Sequence, residues 1–375
     1  MDFDFSEEQE ALRRTVRRFL EERAPLSYVR GMLDDDRGTT DEVWRGLSDL
    51  GVTGLLVPED HGGAGMGMVD VGVVLEELGR VVHPGPFLAS AVAAVSTVAA
   101  VGSSADRADL LPGLADGSMT GTLALLEPDG RAGWRAPGVR FEADRLSGTK
   151  VMVPDAVAAD ILLVSAASDV GLGVFAVDAR AGGVRITPTP TVDGTRKHAT
   201  VVLDGAPGRR LGGRATDATD AVAVAVDRVL AALVVDGLGA AEVALEMAVA
   251  YAKDRMQFGR PIGSFQAVQH LCADMLLSLE LGRAGAYYAL WAADEASPAE
   301  AHRAATMAKA FAGDAFFRIG ANAIQVFGGI GFTWEHDVHL FYKRLLTLQQ
   351  AHGTGTEHLE ELAGLILPPV SSSNV

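Results

Sequence analysis

The 375-residue chain reads as a mainly helical α+β protein: a helical N-terminal domain, a small antiparallel β-domain and a C-terminal bundle of four-helix type. Three observations predict this. Apolar residues near the start recur at helical spacing, the period shortens to β-type runs between about 118 and 213, and long Ala-rich helical runs return after about 217. The expected domains are 1–115, 116–215 and 216–368, followed by a polar tail at 369–375 expected to be mobile.

The first zone opens on Ser6 and Gln9, spaced as a capping box, with Leu12, Val16, Phe19 and Leu20 at helical spacing behind them. Gly and Pro clusters at 58–65 and 83–86 punctuate it. The second zone holds short runs such as TGTLALLE, DILLVSAA, LGVFAVDA and HATVVLDG, separated by Gly, Asp and Pro, as an antiparallel sheet requires. The third predicts helices over 218–256, 265–294 and 298–327, a short one near 339–348 and a last one near 357–366.

Hydrophobic residues make up 48% of the chain, enough for large cores. Lys and Arg total 32 against 49 Asp and Glu, and a net charge of -17 argues against nucleic acid as a partner. The single cysteine, Cys272, rules out an internal disulfide, and its apolar helical run HLCADMLL predicts a buried thiol. No basic stretch followed by an apolar core opens the chain, and Asp227 and Arg228 interrupt the apolar run 221–233. A cytoplasmic protein without a membrane span is expected.

The stretch 251–266, YAKDRMQFGRPIGSFQ, places a cation, amides and an aromatic ring side by side at a turn. Arg255 offers a forked charged donor for a pyrophosphate, Gln257 and Gln266 offer amides, and Phe258 offers a face for a heteroaromatic ring. The same residues also read as a helix end closed by Gly259 and stopped by Pro261, with Phe258 in the core. Some sixty residues on, Gln325 is followed by Val-Phe-Gly328-Gly329-Ile-Gly, whose glycines leave backbone amides open to a phosphate.

These two stretches in this order, each after a long Ala-rich helix, together with FSEEQEALRRTVRRFLEE and LGVTGLLVPEDHGGAGM, resemble the acyl-CoA dehydrogenase family of FAD enzymes over nearly the whole chain. The resemblance implies the helix, sheet and bundle architecture, usually as a tetramer. It implies dehydrogenation of an acyl-CoA substrate, in which a carboxylate takes the α-proton and the β-hydrogen leaves as hydride to FAD. It further implies Arg255 on the FAD pyrophosphate, Phe258 on the adenosine or ribityl part, and Gln325 with the Gly328 and Gly329 amides on the phosphate or adenine side. Gln257 and Gln266 would add amide contacts.

The family takes its carboxylate from the loop before the final helix or from the first bundle helix. The matching positions here are His352 and Val229. A valine cannot take a proton, whereas an imidazole could, with an ordinary pKa near 6.5. The nearest acids are Glu357 and Asp227; the latter lies two residues before Val229, about 200° round the helix. Asp227 matches an acid that the family uses near the thioester arm, whose companion Arg is here Leu230. In the sheet zone Leu126-Glu127-Pro128-Asp129-Gly130-Arg131 stands where the family has Thr-Glu-Pro-Gly-x-Gly-Ser-Asp, and Met152-Val153-Pro154 stands for Trp-Ile-Thr.

In the family each flavin lies between two subunits, one giving the sheet loops and the base, its neighbour giving the two turns. This chain resembles the neighbour and departs from the owner. The leading expectation is a partner subunit that completes the FAD sites of a homologous catalytic subunit in an α2β2 assembly, similar to some actinobacterial enzymes. The alternatives are a self-sufficient flavoenzyme, for instance a homotetramer with His352 in place of the usual Glu, and a scaffold without cofactor. Trp334, Glu335, His336 and Asp337 are expected to cap a helix rather than catalyse, and His270 to be bonded internally.

Overall fold

The computed structural model describes residues 5–128, 133–213 and 217–367, so the expected tail at 369–375 lies outside the described residues. Ser6 accepts a hydrogen bond from the Gln9 amide and Gln9 accepts one from that of Ser6, which closes the capping box and starts α1 (Glu7–Arg23). Its buried Val16 and Leu20 join the N-terminal core. The zone continues as α2 (Leu26–Gly31), α3 (Asp41–Asp49), α4 (Met68–Arg80), α5 (Val95–Val101) and α6 (Ser104–Ala115). A π-helical stretch, Leu88–Ala94, leads into α5. Such wide turns favour functional sites, and this one presents Leu88, Ala89 and Ala93 to a cavity described below.

Among the described residues the sheet has β1 (Gly121–Ala124), β2 (Arg140–Glu142), β3 (Arg145–Pro154), β4 (Ile161–Ser168), β5 (Gly171–Asp178), β6 (Val184–Thr189), β7 (His198–Pro207) and β8 (Arg209–Arg210). Their order is β6-β7-β3-β2-β4-β5-β8, with β1 beside β4. Most neighbours are antiparallel, but β4 runs parallel to both β1, Gly121 opposite Ile161, and β2, Arg140 opposite Ala167. The β2–β3 hairpin lies between β1 and β4 in sequence and returns the chain in the same direction, so the sheet is mixed rather than wholly antiparallel. In β3 the register slips between Lys150 and Val153, and Met152 sits at φ 49. That bulge re-aims the Met152 side chain.

The bundle comprises α7 (Thr219–Asp254), a hairpin of β9 (Met256–Gln257) and β10 (Arg260–Pro261), then α8 (Gln266–Glu295), α9 (Pro298–Phe327), α10 (Val338–Gln350) and α11 (Gly355–Ile366). Buried Ala240, Ala244 and Ala248 on α7 and Ala304, Ala308 and Ala312 on α9 let the helix axes approach closely. One apolar core runs through both helical zones, whereas much of the sheet keeps its own around Leu146, Val164, Phe175 and Val201. Arg344 of α10 fastens the zones together. Its guanidinium donates to Asp236 at 3.0 Å, Asp193 at 3.2 Å, Thr195 Oγ1 at 2.7 Å, and the carbonyls of Val82 and His83 at 3.0 and 3.1 Å. Among the described residues no helix is long and apolar enough to cross a membrane.

Candidate functional site

Two places carry the residues singled out in the sequence, one on the outer surface and one in a half-open cavity. On the surface, α7 stops at Asp254 and the chain reverses through Phe258 and Gly259, at φ 53 and 78. Two central residues with positive φ make the tight turn whose twist suits a hairpin. Phe258 is 92% exposed, which excludes the reading that buries it in the core. Arg255 and Gln257 flank it and Gln266 opens α8, all three exposed.

At the end of α9 the exposed Gln325 is followed by Gly328 at φ 65, and an added Cβ on Gly328 or Gly329 would meet nothing within 4 Å. The glycines therefore leave this backbone open to a ligand. The Tyr251 and Phe327 rings lie 4.4 Å apart and bring the two turns to one end of the bundle.

The second place is a half-open cavity of about 440 Å³ between the π-helical stretch, β1, β3, α7 and the loop joining α10 to α11. Val229 and His352 both line it, and so do Leu126, Met152 and Pro154. Five of the positions at which the sequence departs from the family's pattern, Leu126, Met152, Pro154, Val229 and His352, thus line one cavity.

The loop that carries His352, at φ 55, is held from below. Lys309 is fully buried and donates to the Gly353 carbonyl at 2.8 Å, while the His358 ring lies 3.0 Å from the His352 carbonyl. Burial and then the Lys309 charge push the His352 pKa down to about 4, so the imidazole stays neutral and accepts a proton only weakly.

The acids nearest in sequence do not replace the missing carboxylate. Glu357 accepts the Thr354 amide at 2.7 Å and caps α11. Asp227 faces His302, 2.8 Å away, whose other nitrogen is 3.2 Å from Glu361. Glu127 neutralises the fully buried Lys150 at 2.6 Å and accepts the Val139 amide; Asp129, Gly130 and Arg131 lie outside the described residues. Near α10, His336 caps by accepting the Val338 amide at 3.1 Å, while Asp337 pairs with Arg30 at 2.6 Å. His270 is exposed rather than bonded internally, and Cys272 is only half-buried.

Residues 6–118 match the acyl-CoA dehydrogenase N-terminal domain and 223–366 match the acyl-CoA dehydrogenase C-terminal domain. The chain belongs to the acyl-CoA dehydrogenase family. It is 32% identical to acyl-CoA dehydrogenase IpdE2 of Mycolicibacterium smegmatis over 358 residues, 95% of this chain and 98% of the relative. A solved variant of the Tcur3481-Tcur3483 steroid ACAD superposes with TM-score 0.88 at 35% identity, covering 96% of this chain and 98% of that one. The ChsE4-ChsE5 complex from Mycobacterium tuberculosis superposes with TM-score 0.87 at 29% identity, covering 97% and 98%.

The cofactor of the acyl-CoA dehydrogenase family can be tested against both places. The surface turns offer an exposed Arg255 with no ion pair among the described residues, together with open glycine backbone, which suits a pyrophosphate. The cavity has lost the aromatic and hydroxyl groups that the family's pattern sets beside the flavin ring: Leu126, Met152 and Pro154 line it at those positions and Pro154 has no N–H, although Arg196, Lys197 and Gln350 also line it.

Two polar residues on the cavity wall carry no signal in the sequence, Asp155 and His198. Asp155 follows β3 at φ 49 and is 4% exposed. Burial, against the opposing charges of Arg196, Arg344 and Lys197, pushes its pKa from the ordinary 3.8 up to about 7. Between those values the folded chain keeps a proton that the unfolded chain has lost, so this residue makes stability fall as pH rises and level off above about 7. Buried histidines such as His83, pushed down to about 3, act in the opposite sense below 6.5 and are common to wild type and variant. Urea midpoints from pH 4 to 8 should therefore show Asp155→Asn gaining on wild type as pH rises; parallel curves would refute it.

Proposed function

We propose that this chain is the partner subunit of a heteromeric acyl-CoA dehydrogenase, completing FAD sites whose ring face and catalytic base belong to a homologous subunit. The observation that carries the reading is the split between the two places. Residues suited to reach a neighbour's cofactor stand on the outer surface, while both base positions open on an apolar cavity with a valine and a neutral histidine.

In this assembly Arg255 binds the pyrophosphate, Gln325 with the Gly328 and Gly329 amides holds the phosphate or adenine side, and Phe258 covers the adenosine or ribityl part. Gln257 and Gln266 add amide contacts. FAD supplies the hydride acceptor for α,β-dehydrogenation of the acyl-CoA thioester. This chain's residues bind and orient it; proton removal falls to the other subunit.

Exposed apolar side chains fit such an association. Leu277 and Leu281 share a face of α8, Met307 and Phe311 share one of α9, and Phe332 lies 78% exposed beyond the Gly328 turn. The paired names of the Tcur3481-Tcur3483 and ChsE4-ChsE5 structures point the same way. A self-sufficient enzyme would lean on His352, a neutral imidazole that differs from a carboxylate in charge and reach.

Flavin content separates the two. The chain purified alone should be colourless, and co-expression with a homologous subunit that carries the missing carboxylate should give yellow complex at one FAD per two chains. One FAD per protomer in the chain alone would overturn the proposal.

A further inference from the structure

The last helix among the described residues, α11, is lightly seated. It rests chiefly on α9, and only Gly355, His358 and Leu362 of its residues are buried, while Leu359, Leu365 and Ile366 stand exposed. Polar contacts supply much of its attachment. The His302 ring of α9 stands between two acids, with Nδ1 2.8 Å from Asp227 of α7 and Nε2 3.2 Å from Glu361 of α11. One turn away on α11, the His358 ring lies 3.6 Å from Glu361 through Nδ1 and 3.0 Å from the His352 carbonyl through Nε2. The clamp therefore reaches from α7 through α9 and α11 to the loop that carries His352. The other charges beside His302 are Arg135, in the turn before β2, and Arg303, which pairs with Glu300 on α9 itself.

A protonated imidazole has two N–H groups and a neutral one has a single N–H. Protonated, His302 donates to both acids at once; neutral, it donates to one and turns a lone pair on the other. Asp227 is the closer and the more buried acid, so it keeps the remaining N–H and leaves Glu361 facing a bare nitrogen. We propose that His302 is the pin of a proton-operated latch, its imidazolium holding α11 against α7 and α9, and that loss of this proton frees α11 and the loop 351–354 ahead of it. The hydrogen bond to Asp227, against burial, and then the charges of Asp227 and Glu361 hold the His302 pKa above the ordinary 6.5. The closed latch binds the proton more tightly than an open one, which has lost Glu361. Closure is therefore firmest while His302 is charged, weakens as pH rises through its pKa and levels off above it. Because His352 lines the cavity, release of its loop loosens one wall there.

The test is amide hydrogen exchange of the full chain from pH 6 to 9, read by mass spectrometry and corrected for the intrinsic exchange rate. Protection of 355–366 should fall by about three- to ten-fold across the His302 titration, the worth of one charge-assisted bond discounted for the solvent that reaches Glu361, while protection of 298–327 holds. Glu361→Gln should flatten the fall, because an amide donates to the neutral ring and accepts from the charged one. Lys309, pushed down to about 8 by burial, stays under the Gly353 carbonyl in that variant, so any slope that survives belongs to Lys309. Asp227→Asn should move the fall to lower pH, since the proton has then lost its stronger partner. Should that variant not melt cooperatively, the titration of the His302 ring by NMR decides, with a lower pKa expected in Glu361→Gln than in wild type. Three outcomes would overturn the latch: wild-type protection of 355–366 that follows α9 at every pH, a full slope retained in Glu361→Gln, or a His302 pKa indifferent to that substitution. A clamp that is only structural gives the first of these, with variants losing protection by the same factor throughout.

Discussion

Replacing Arg344 by Met should cost the chain about 3–5 kcal/mol, the usual penalty for removing one partner of a buried ion pair. The side chain is nearly inaccessible, and five groups from three zones converge on it. Val82 and His83 lie in the turn after α4 of the N-terminal zone, Asp193 and Thr195 in the link between β6 and β7, and Asp236 in α7. Methionine keeps the volume but donates nothing. Asp236 would retain Arg196 at 2.7 Å, whereas Asp193 would keep its charge in the interior with only Thr195 to bond. The urea midpoint should fall accordingly. Arg344→Met combined with Asp193→Asn should recover part of the loss, because the stranded charge is then gone. A single variant within about 1 kcal/mol of wild type would show that water or rearrangement replaces the network.

Little of that lock could be read from the sequence. Tyr342-Lys343-Arg344 serves there to count toward the final loop, and nothing in its local pattern distinguishes an arginine that reaches three zones from one in solvent. Local rules served better where local physics decides. The box of Ser6 and Gln9, the span 298–327, and the glycines that open the turn after α9 follow from residues a few positions apart. The parallel pairing of β1 with β4 does not, because it depends on where the β2–β3 hairpin returns the chain.

The cavity was half legible. The resemblance singled out Val229 and His352, separated by more than a hundred residues, and the fold brings both to one wall. Asp155 and His198 were missed, since a carboxylate after a strand is ordinarily a turn residue. Only burial shows that its carboxyl has no bonding partner among the described residues. The same applies to Phe258, for which sequence left a core position and a ligand face equally open until its exposure decided.

The Phe258 turn also carries the second large expected effect. In the complex with its homologous subunit, Arg255→Ala should weaken FAD binding by roughly ten- to a hundred-fold, the equivalent of one charge-assisted contact of about 1.5–3 kcal/mol. The chain itself should be untouched. Arg255 is exposed, makes no ion pair among the described residues, and contributes to the hairpin through its backbone, whose carbonyl accepts the Ile262 amide at 2.8 Å. Its loss should therefore appear in flavin titration of the stripped complex and not in the melting of this subunit. Arg255→Lys should fall between, keeping the charge while losing the fork that spans two phosphate oxygens. The comparison is informative because a purely structural arginine would show the reverse order of effects, with stability falling first and flavin following. Unchanged flavin affinity in Arg255→Ala would place the pyrophosphate elsewhere. It would remove the main reason for assigning this surface to a neighbour's cofactor.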